Sequence, residues 1–350
     1  MSLIIYTPDY SGVHEITNAI SVQMSYYYND IGKLILDFPI TDENVAILKN
    51  NSIVYDTKKK LAYIIKNVKT DTSQNRITAN GFTTNQILNS RVRNVWEAFG
   101  KNTESAVYAL VNKTLNQAGR GLQVTTAASK GLTETYTAWG DDPYLLGSIM
   151  PVLESAGLGH RMNWNHSTKQ HTFEVYKGND LTTGLHAVVF SDEQGTARDL
   201  VITDDITEFY NVAYVTGYYT DEEGAEHKID RISGNADGIN RYEIFIDGPS
   251  PEDGDTYSSY EAYLYRYGLS ELAKMARKLT FSVSVDPSEI GVLYNVGDIV
   301  ACVSKRFGVR FNARISGVKY RKDSKSETTE IILGEPVLTT IGEVNLIGEY

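Results

Sequence analysis

Hydrophobic residues recur at every second position along much of this chain. Leu34, Leu36 and Phe38 alternate with Lys33, Ile35 and Asp37, and Ile20, Val22 and Met24 alternate with Ser21, Gln23 and Ser25. A period of two turns one row of side chains inward and predicts strands. Ser52–Asp56 and Leu61–Val68 flank the polar turn Thr57-Lys-Lys-Lys60 as a hairpin, and Arg76–Gly81 is a further strand. Two short helical stretches interrupt this region, one near Asp42–Lys49 and one over Thr84–Ser90 with Thr83 or Thr84 as its N-cap.

The period changes after Arg91. Asn102-Thr-Glu-Ser105 starts a helix that carries Val107, Val111, Leu115 and Ala118 on one face and stops at Gly119. A second helix opens at Asp141-Asp-Pro143, carries Leu145, Ile149 and Leu153, and ends at Gly157; Pro151 should kink or shorten it. Gly159–Asn165 and Gln170–Tyr176 then form a hairpin around His166-Ser-Thr-Lys169. From Ala187 the chain is β-like again. Phe209–Gly217 and Glu226–Ile232 flank Asp221-Glu-Glu-Gly224, and Tyr242–Ile246 is another strand. A long helix over about Ser259–Lys278 buries Tyr260, Leu264, Leu269, Leu272, Met275, Ala276 and Leu279, with a slip near Gly268. Phe281–Val285 leads into a closing meander: Ile299–Val303, Val309–Tyr320 and Thr329–Glu335.

This order predicts an α+β, mainly β fold. Its expected parts are a first β domain over 1–91, an α+β insert over 92–186, and a second β domain over 187–350, barrel-like in its closing meander, with a helical insertion around 258–280. Two or three domains suit a chain of 350 residues.

Charge narrows the partners. The net charge of -11 argues against nucleic acid or an anionic membrane held through a basic face. The longest basic run, Lys58-Lys59-Lys60, reads as a hairpin tip. The aromatic residues are chiefly Tyr, 24 against 10 Phe and 3 Trp, which fits half-buried strand faces and interfaces equally well. With Cys302 as the sole cysteine, no intrachain disulfide forms. The N-terminus lacks the basic segment of a secretory signal, and no apolar run approaches the ~18 residues of a membrane span. A protein made and held in a cytoplasm is the expectation.

Candidate chemistry is sparse. His160, His166 and His171 fall within one hairpin, where strand alternation places two on one face as potential metal ligands, but no carboxylate or thiol stands at ligand spacing. Glu154-Ser155 resembles the catalytic pair of lytic transglycosylases without their downstream Gly-Leu-Met-Gln block; a helix end capped by Gly157 is the plainer reading. Gly248-Pro-Ser250-Pro fails the nucleophile-elbow pattern at its last glycine. Cys302 sits in an apolar strand, the wrong setting for a nucleophile. The acidic loop Asp247–Asp255 departs from calcium-loop spacing. No Walker loop, H-E-x-x-H or dinucleotide fingerprint is present. The expected catalytic, cofactor-binding and metal sites are therefore none.

Four segments resemble the baseplate-hub or tail-associated proteins of long-tailed bacteriophages and prophages. They are Ile77–Arg91, a strand, a glycine and a short helix; Phe173–Thr182, a strand followed by Gly178-Asn-Asp-Leu-Thr182; Asn211-Val-Ala-Tyr-Val-Thr-Gly217; and Tyr294-Asn-Val-Gly-Asp298 with the meander to Gly334. The resemblance implies two related barrels with α+β insertions. It also implies a homotrimeric ring below the distal tail protein, and a central channel for the tape-measure protein and DNA. Tip or fibre proteins would be further partners. Location in a virion tail, no cofactor and no sequence-specific nucleic-acid binding follow from it, and an acidic channel lining would repel DNA. Many members carry a C-terminal hydrolase or fibre-binding extension, whereas only a short tail follows Gly334 here, so a lytic domain is expected on another chain or not at all. The residues leave two other classes open: a cell-wall hydrolase using Glu154 or another carboxylate pair, and a carbohydrate- or receptor-binding module with Tyr and Trp platforms such as Trp164.

Overall fold

The computed structural model describes residues 3–93, 100–116, 124–136, 139, 142–191, 193, 195–196, 198–221, 223–252, 254–275, 277–286, 288–306 and 309–336. It divides into two compact units, one made of Met1–Val201 with Phe281–Tyr350 and the other of Ile202–Thr280.

The fold is mainly β, with five α-helices among the described residues. In chain order the larger unit begins with β1 (Leu3–Tyr6), β2 (Val13–Ile16), β3 (Ser21–Tyr27), β4 (Lys33–Pro39), α1 (Asp42–Ile47), β5 (Ile53–Asp56), β6 (Leu61–Asp71), β7 (Arg76–Thr83) and α2 (Gln86–Asn89). The middle segment adds α3 (Thr103–Leu115), β8 (Val124–Thr126), α4 (Leu145–Ser155), β9 (Gly159–Asn165) and β10 (Gln170–Tyr176). Then follow β11 (Val189–Ser191), β12 (Arg198–Asp205), β13 (Val212–Thr220), β14 (Glu226–Ser233), β15 (Glu243–Asp247), α5 (Tyr257–Lys274), β16 (Lys278–Val285), β17 (Ile299–Ser304), β18 (Val309–Lys322) and β19 (Glu327–Pro336).

The largest sheet runs β12-β16-β19-β18-β3-β4-β7-β6-β5-β1-β2, with β17 bridging β18 to β11. Strands from both ends of the chain therefore share one sheet: β18 pairs antiparallel with β3, Tyr320 opposite Met24. The alternation that predicts β4 sets its burial, with Leu34, Leu36 and Phe38 all fully buried. They pack with Val22, Met24, Ile65, Ala79 and Tyr320 into one core.

A second core belongs to the middle segment. Val107, Val111 and Leu115 of α3 and Leu145, Ile149 and Leu153 of α4 cover the inner face of the β8-β10-β9 sheet through Phe173 and Val175. Helix α3 starts at its expected cap, Asn102, whose side chain accepts from Ser105 N at 2.9 Å. Helix α4 begins after Pro143 instead of at it, with Tyr144 as N-cap, and continues through Pro151, held by buried Leu146, Ile149 and Val152. Gly157, at φ +65°, closes it as expected. Helix α2 is shorter than Thr84–Ser90, and Asn85 stands at its N-cap with no side-chain capping bond because that side chain is engaged elsewhere. Gly119, Asp141, Ala276 and the loop residues Phe307 and Gly308 lie outside the described residues.

In the smaller unit, α5 lies on one face of the sheet β14-β13-β15. Tyr260 and Leu264 are fully buried against Ala213, Val215 and Ile229. Leu269, expected on this side, is 41% exposed. The buried stripe passes instead through Gly268, where a Cβ would meet Ser233 Oγ at 2.3 Å, so the helix approaches the sheet most closely at that point. Thr256 caps α5 reciprocally with Ser259. Thr256→Ala is expected to lower the stability of this unit by about 1 kcal/mol, read as an earlier urea midpoint.

Candidate functional site

The three histidines do not meet. His160 and His171 both point inward from the β9–β10 hairpin, but the register pairs His160 with Val175 and His171 with Trp164. Four positions of strand separate them, roughly 13 Å. His166 lies in the turn, its Nδ1 3.3 Å from the Tyr6 hydroxyl and its ring stacked on Tyr55. Among the described residues no three His, Cys, Asp or Glu gather as a metal-binding group.

The two inward histidines are core residues. Asn85 holds His160 by donating from Nδ2 to Nδ1 at 2.9 Å, while its Oδ1 accepts from Met162 N at 2.9 Å. His171 is wedged against Trp164, ring centroids 4.6 Å apart, and neither ring nitrogen has a hydrogen-bond partner. Burial lowers both from 6.5 to about 4, so both rings are neutral at pH 7.

The remaining candidates are spread along the chain. Glu154 and Ser155 are exposed at the end of α4, and the Ser155 hydroxyl donates to Val152 O at 3.1 Å. The 248–250 turn is fixed by Tyr260, whose hydroxyl donates to Pro249 O at 2.8 Å. In the acidic loop, Asp255 accepts from Ser259 Oγ and Glu252 N, both at 2.9 Å, and so belongs to the cap of α5. Cys302 is 4% exposed between neighbouring strands, and burial pushes its thiol up to about 12, far from a thiolate at pH 7. Trp164 is 5% exposed, edge-on to Tyr6, and offers no platform to a ligand. The lysine tip is a turn in which Lys58 and Lys59 N–H groups donate to Asp56 Oδ1; the Lys59 ammonium lies 4.0 Å above the Tyr320 ring.

Three of the four segments singled out by family resemblance converge instead. Gly178 lies so close to Gly297 that a Cβ on it would stand 1.9 Å from the Gly297 carbonyl oxygen. Asp298, 3% exposed, accepts from the N–H groups of Asn179 and Asn295, each at 2.7 Å. Ile299 N donates to Asn179 O, and Leu181 N to Ile299 O, both at 2.8 Å. The Gly-Asp turn and the Gly-x-Asp-x-Thr loop are therefore two halves of one joint, 119 positions apart.

Tyr28 closes this joint from the N-terminal strands. Its hydroxyl donates to Gly157 O at 3.0 Å and reaches Tyr176 O at 3.2 Å. Its backbone N–H donates to Ser316 O, and its carbonyl accepts from His160 N. The Arg314 guanidinium stacks over its ring at 4.8 Å and donates to Gly297 O at 2.6 Å. The first resembling segment reaches the same hairpin from the other side through Asn85 and through Thr84, whose Oγ1 donates to Met162 O at 3.2 Å. In the smaller unit, Gly217 of the third segment lies beneath Tyr260, with room for no Cβ. Sequence reading missed Tyr28, Asn85 and Arg314, since nothing local distinguishes them.

Charge gathers on the outer face of the hairpin. Glu174 accepts from Arg161 at 2.6 Å, Lys130 at 2.5 Å and Asn163 at 2.7 Å. Burial alone would raise its pKa, but these donors outweigh it and hold the carboxyl at about 2. Beside this cluster a cleft of about 880 Å3 is lined by Tyr26, Tyr27, Tyr176, Tyr320, Lys59 and Asp286, among others. Its Ser288 hydroxyl donates to Asp286 at 2.7 Å within one turn. That bond fixes the turn and does not activate a nucleophile, which would need a base oriented by a third group.

A family model described as Siphovirus ReqiPepy6 Gp37-like protein matches residues 2–335. Three solved structures resemble the chain over almost its whole length. The tail protein from Neisseria meningitidis MC58 gives a TM-score of 0.60 at 12% identity, covering 95% of this chain and 96% of that one. The 43 kDa tail protein of prophage MuSo2 from Shewanella oneidensis gives 0.57 at 9% identity, covering 96% and 98%. Prophage tail protein gp18 from Listeria monocytogenes EGD-e gives 0.51 at 14% identity, covering 96% and 94%. At these identities the likeness is one of fold. No curated protein matches the chain. Among the described residues no helix is long and apolar enough to cross a membrane.

Proposed function

The chain belongs to the Siphovirus ReqiPepy6 Gp37-like protein family, and on that premise we propose that it is a structural component of a phage or prophage tail tip. Its role there is that of a ring-forming baseplate hub, a homotrimer that connects the tail tube and distal tail ring to the tip. The ring surrounds the channel for the tape-measure protein and DNA, and its lining is acidic. The protein is not an enzyme, and tip or fibre proteins of the same tail are its further partners.

The observation that carries this reading is where the family-like segments lie. Three of the four meet in one joint around Tyr28, the β9–β10 hairpin and Asp298, and are spent on holding strands together. Residues that would serve chemistry are likewise engaged: Cys302 is buried with its thiol protonated, and His160 and His171 are neutral core residues. A part of this kind acts by geometry, presenting fixed surfaces to its neighbours and burying exposed strand edges in closed, symmetric contacts.

Immunogold labelling of intact particles tests the assignment. Label at the tail tip is the expected result, and deleting the gene should leave filled capsids without infectious tails. Label on the capsid, or none on purified particles, would overturn it. Clearing on a peptidoglycan zymogram would favour the hydrolase reading, and glycan binding by the isolated monomer the receptor-binding one; a hub gives neither.

A further inference from the structure

The smaller unit carries two unlike apolar faces. Helix α5 covers one side of the β14-β13-β15 sheet and leaves the other open. On the open side Tyr214 pairs with Ile232 on one neighbouring strand and with Phe245 on the other, making a single row across all three strands. Ile232 is 51% and Phe245 64% exposed, unusual for large apolar side chains standing side by side. The second face is the solvent side of α5 itself. Tyr265 and Leu269, one turn apart, are 45% and 41% exposed.

Charge distinguishes the two faces. Around the sheet row, Glu226, Asp230, Glu243 and Asp247 outnumber Lys228 and Arg241, a net of about −2 by formal charge. The α5 face carries Arg266 beside Tyr265. Its nearest acid, Glu261, is turned to the sheet side in an ion pair with Arg231. Packing two sheet faces together would oppose like charge, and so would packing two helix faces. Sheet face against helix face brings opposite charge together over an apolar centre.

We propose that the open sheet face of one copy packs on the outer face of α5 in the next copy. Such a contact is heterologous: repeated, it closes a ring when the rotation between copies closes and runs on as an open filament when it does not, and the ring reading requires the first. The inference rests on the ring reading above and gives it a specific contact. The sheet face is three strands wide and about eight residues long, on the order of 400 Å2. A standard interface buries about 800 Å2 per partner, so other surfaces share the contact.

Light scattering on the full chain with two single variants, Phe245→Lys and Leu269→Glu, each placing a charge opposite its like, tests this. Both positions are exposed, so circular dichroism should match the wild type; Phe245→Thr and Leu269→Gln replace either variant that misfolds. The wild type is expected at three times the chain mass of 39.0 kDa, and each variant at one. Mixing the two variants should give a species of two chains, because one intact pair of faces remains. Either variant retaining the wild-type ring mass overturns the contact and leaves the hub reading standing, since that reading is judged by tip labelling. A mixture that stays monomeric overturns the heterologous geometry, and a wild type that stays monomeric at the highest attainable concentration overturns self-assembly through these faces.

Discussion

Gly178→Val is expected to lower the stability of the larger unit by about 3 kcal/mol or more, seen as a fall in Tm of about 5 °C or more. The cause is a collision between backbones. A Cβ at 178 would lie 1.9 Å from Gly297 O, 2.0 Å from Gly297 C and 2.6 Å from Asp298 N. These atoms have little freedom to retreat. Arg314 grips the Gly297 carbonyl, Gly297 holds φ +101°, and the Tyr28 ring lies 2.5 Å from where a Cβ on it would stand. Asp298 ties the same turn to Asn179, so a shift of either strand breaks charged hydrogen bonds as well. Gly100→Val is the control, because a Cβ there meets nothing within 4 Å. Thermal melts of both variants decide the matter. If Gly178→Val melts with the wild type, the two loops do not approach as described.

Stability is also expected to fall between pH 6.5 and about 4, before carboxylate protonation dominates. His160 and His171 are lowered from 6.5 to about 4 by burial, so between those values the unfolded chain binds protons that the folded chain refuses. Stability therefore rises with pH through this window: it is fully present above 6.5 and is lost as pH falls toward 4. Each histidine contributes up to about 3 kcal/mol by this linkage. Glu174 acts in a lower window, its contribution present above 4.5 and lost as pH falls toward about 2. His171→Phe keeps the ring against Trp164 and removes one titrating group, so it should flatten the slope between pH 6.5 and 4 by about half. Urea midpoints across that range measure this directly, and an unchanged slope in the variant would show that His171 is not the group responsible.

The family-like segments were visible as sequence patterns because glycines and Asp turns have local signatures. Their purpose was not visible. Gly178-Asn-Asp and Val296-Gly-Asp298 each read as an ordinary turn until the fold brings them within contact. The histidine hairpin is the reverse case. Its strands, turn and inward faces were legible from alternation, yet alternation says which face a side chain takes and not how far along the strand its neighbour lies. The register separates His160 from His171 and makes each a packing residue. On α5 the slip at Gly268 was legible, but which side of it faces the sheet was not. A glycine there permits close approach, and Leu269 is left to the solvent.

By itself the sequence determined the mainly β character, the antiparallel hairpins, the helix caps at Asn102 and Gly157, and the buried alternation of β4. These follow from periodicity and turn chemistry acting over a few residues. Only the tertiary structure decided the pairing of β18 with β3, the parallel pairings of β13 with β15 and of β11 with β17, and the joint around Tyr28. Those contacts join residues tens to hundreds of positions apart. Their partners are selected by which faces and edges remain unsatisfied once the local elements have formed, a choice no local pattern encodes.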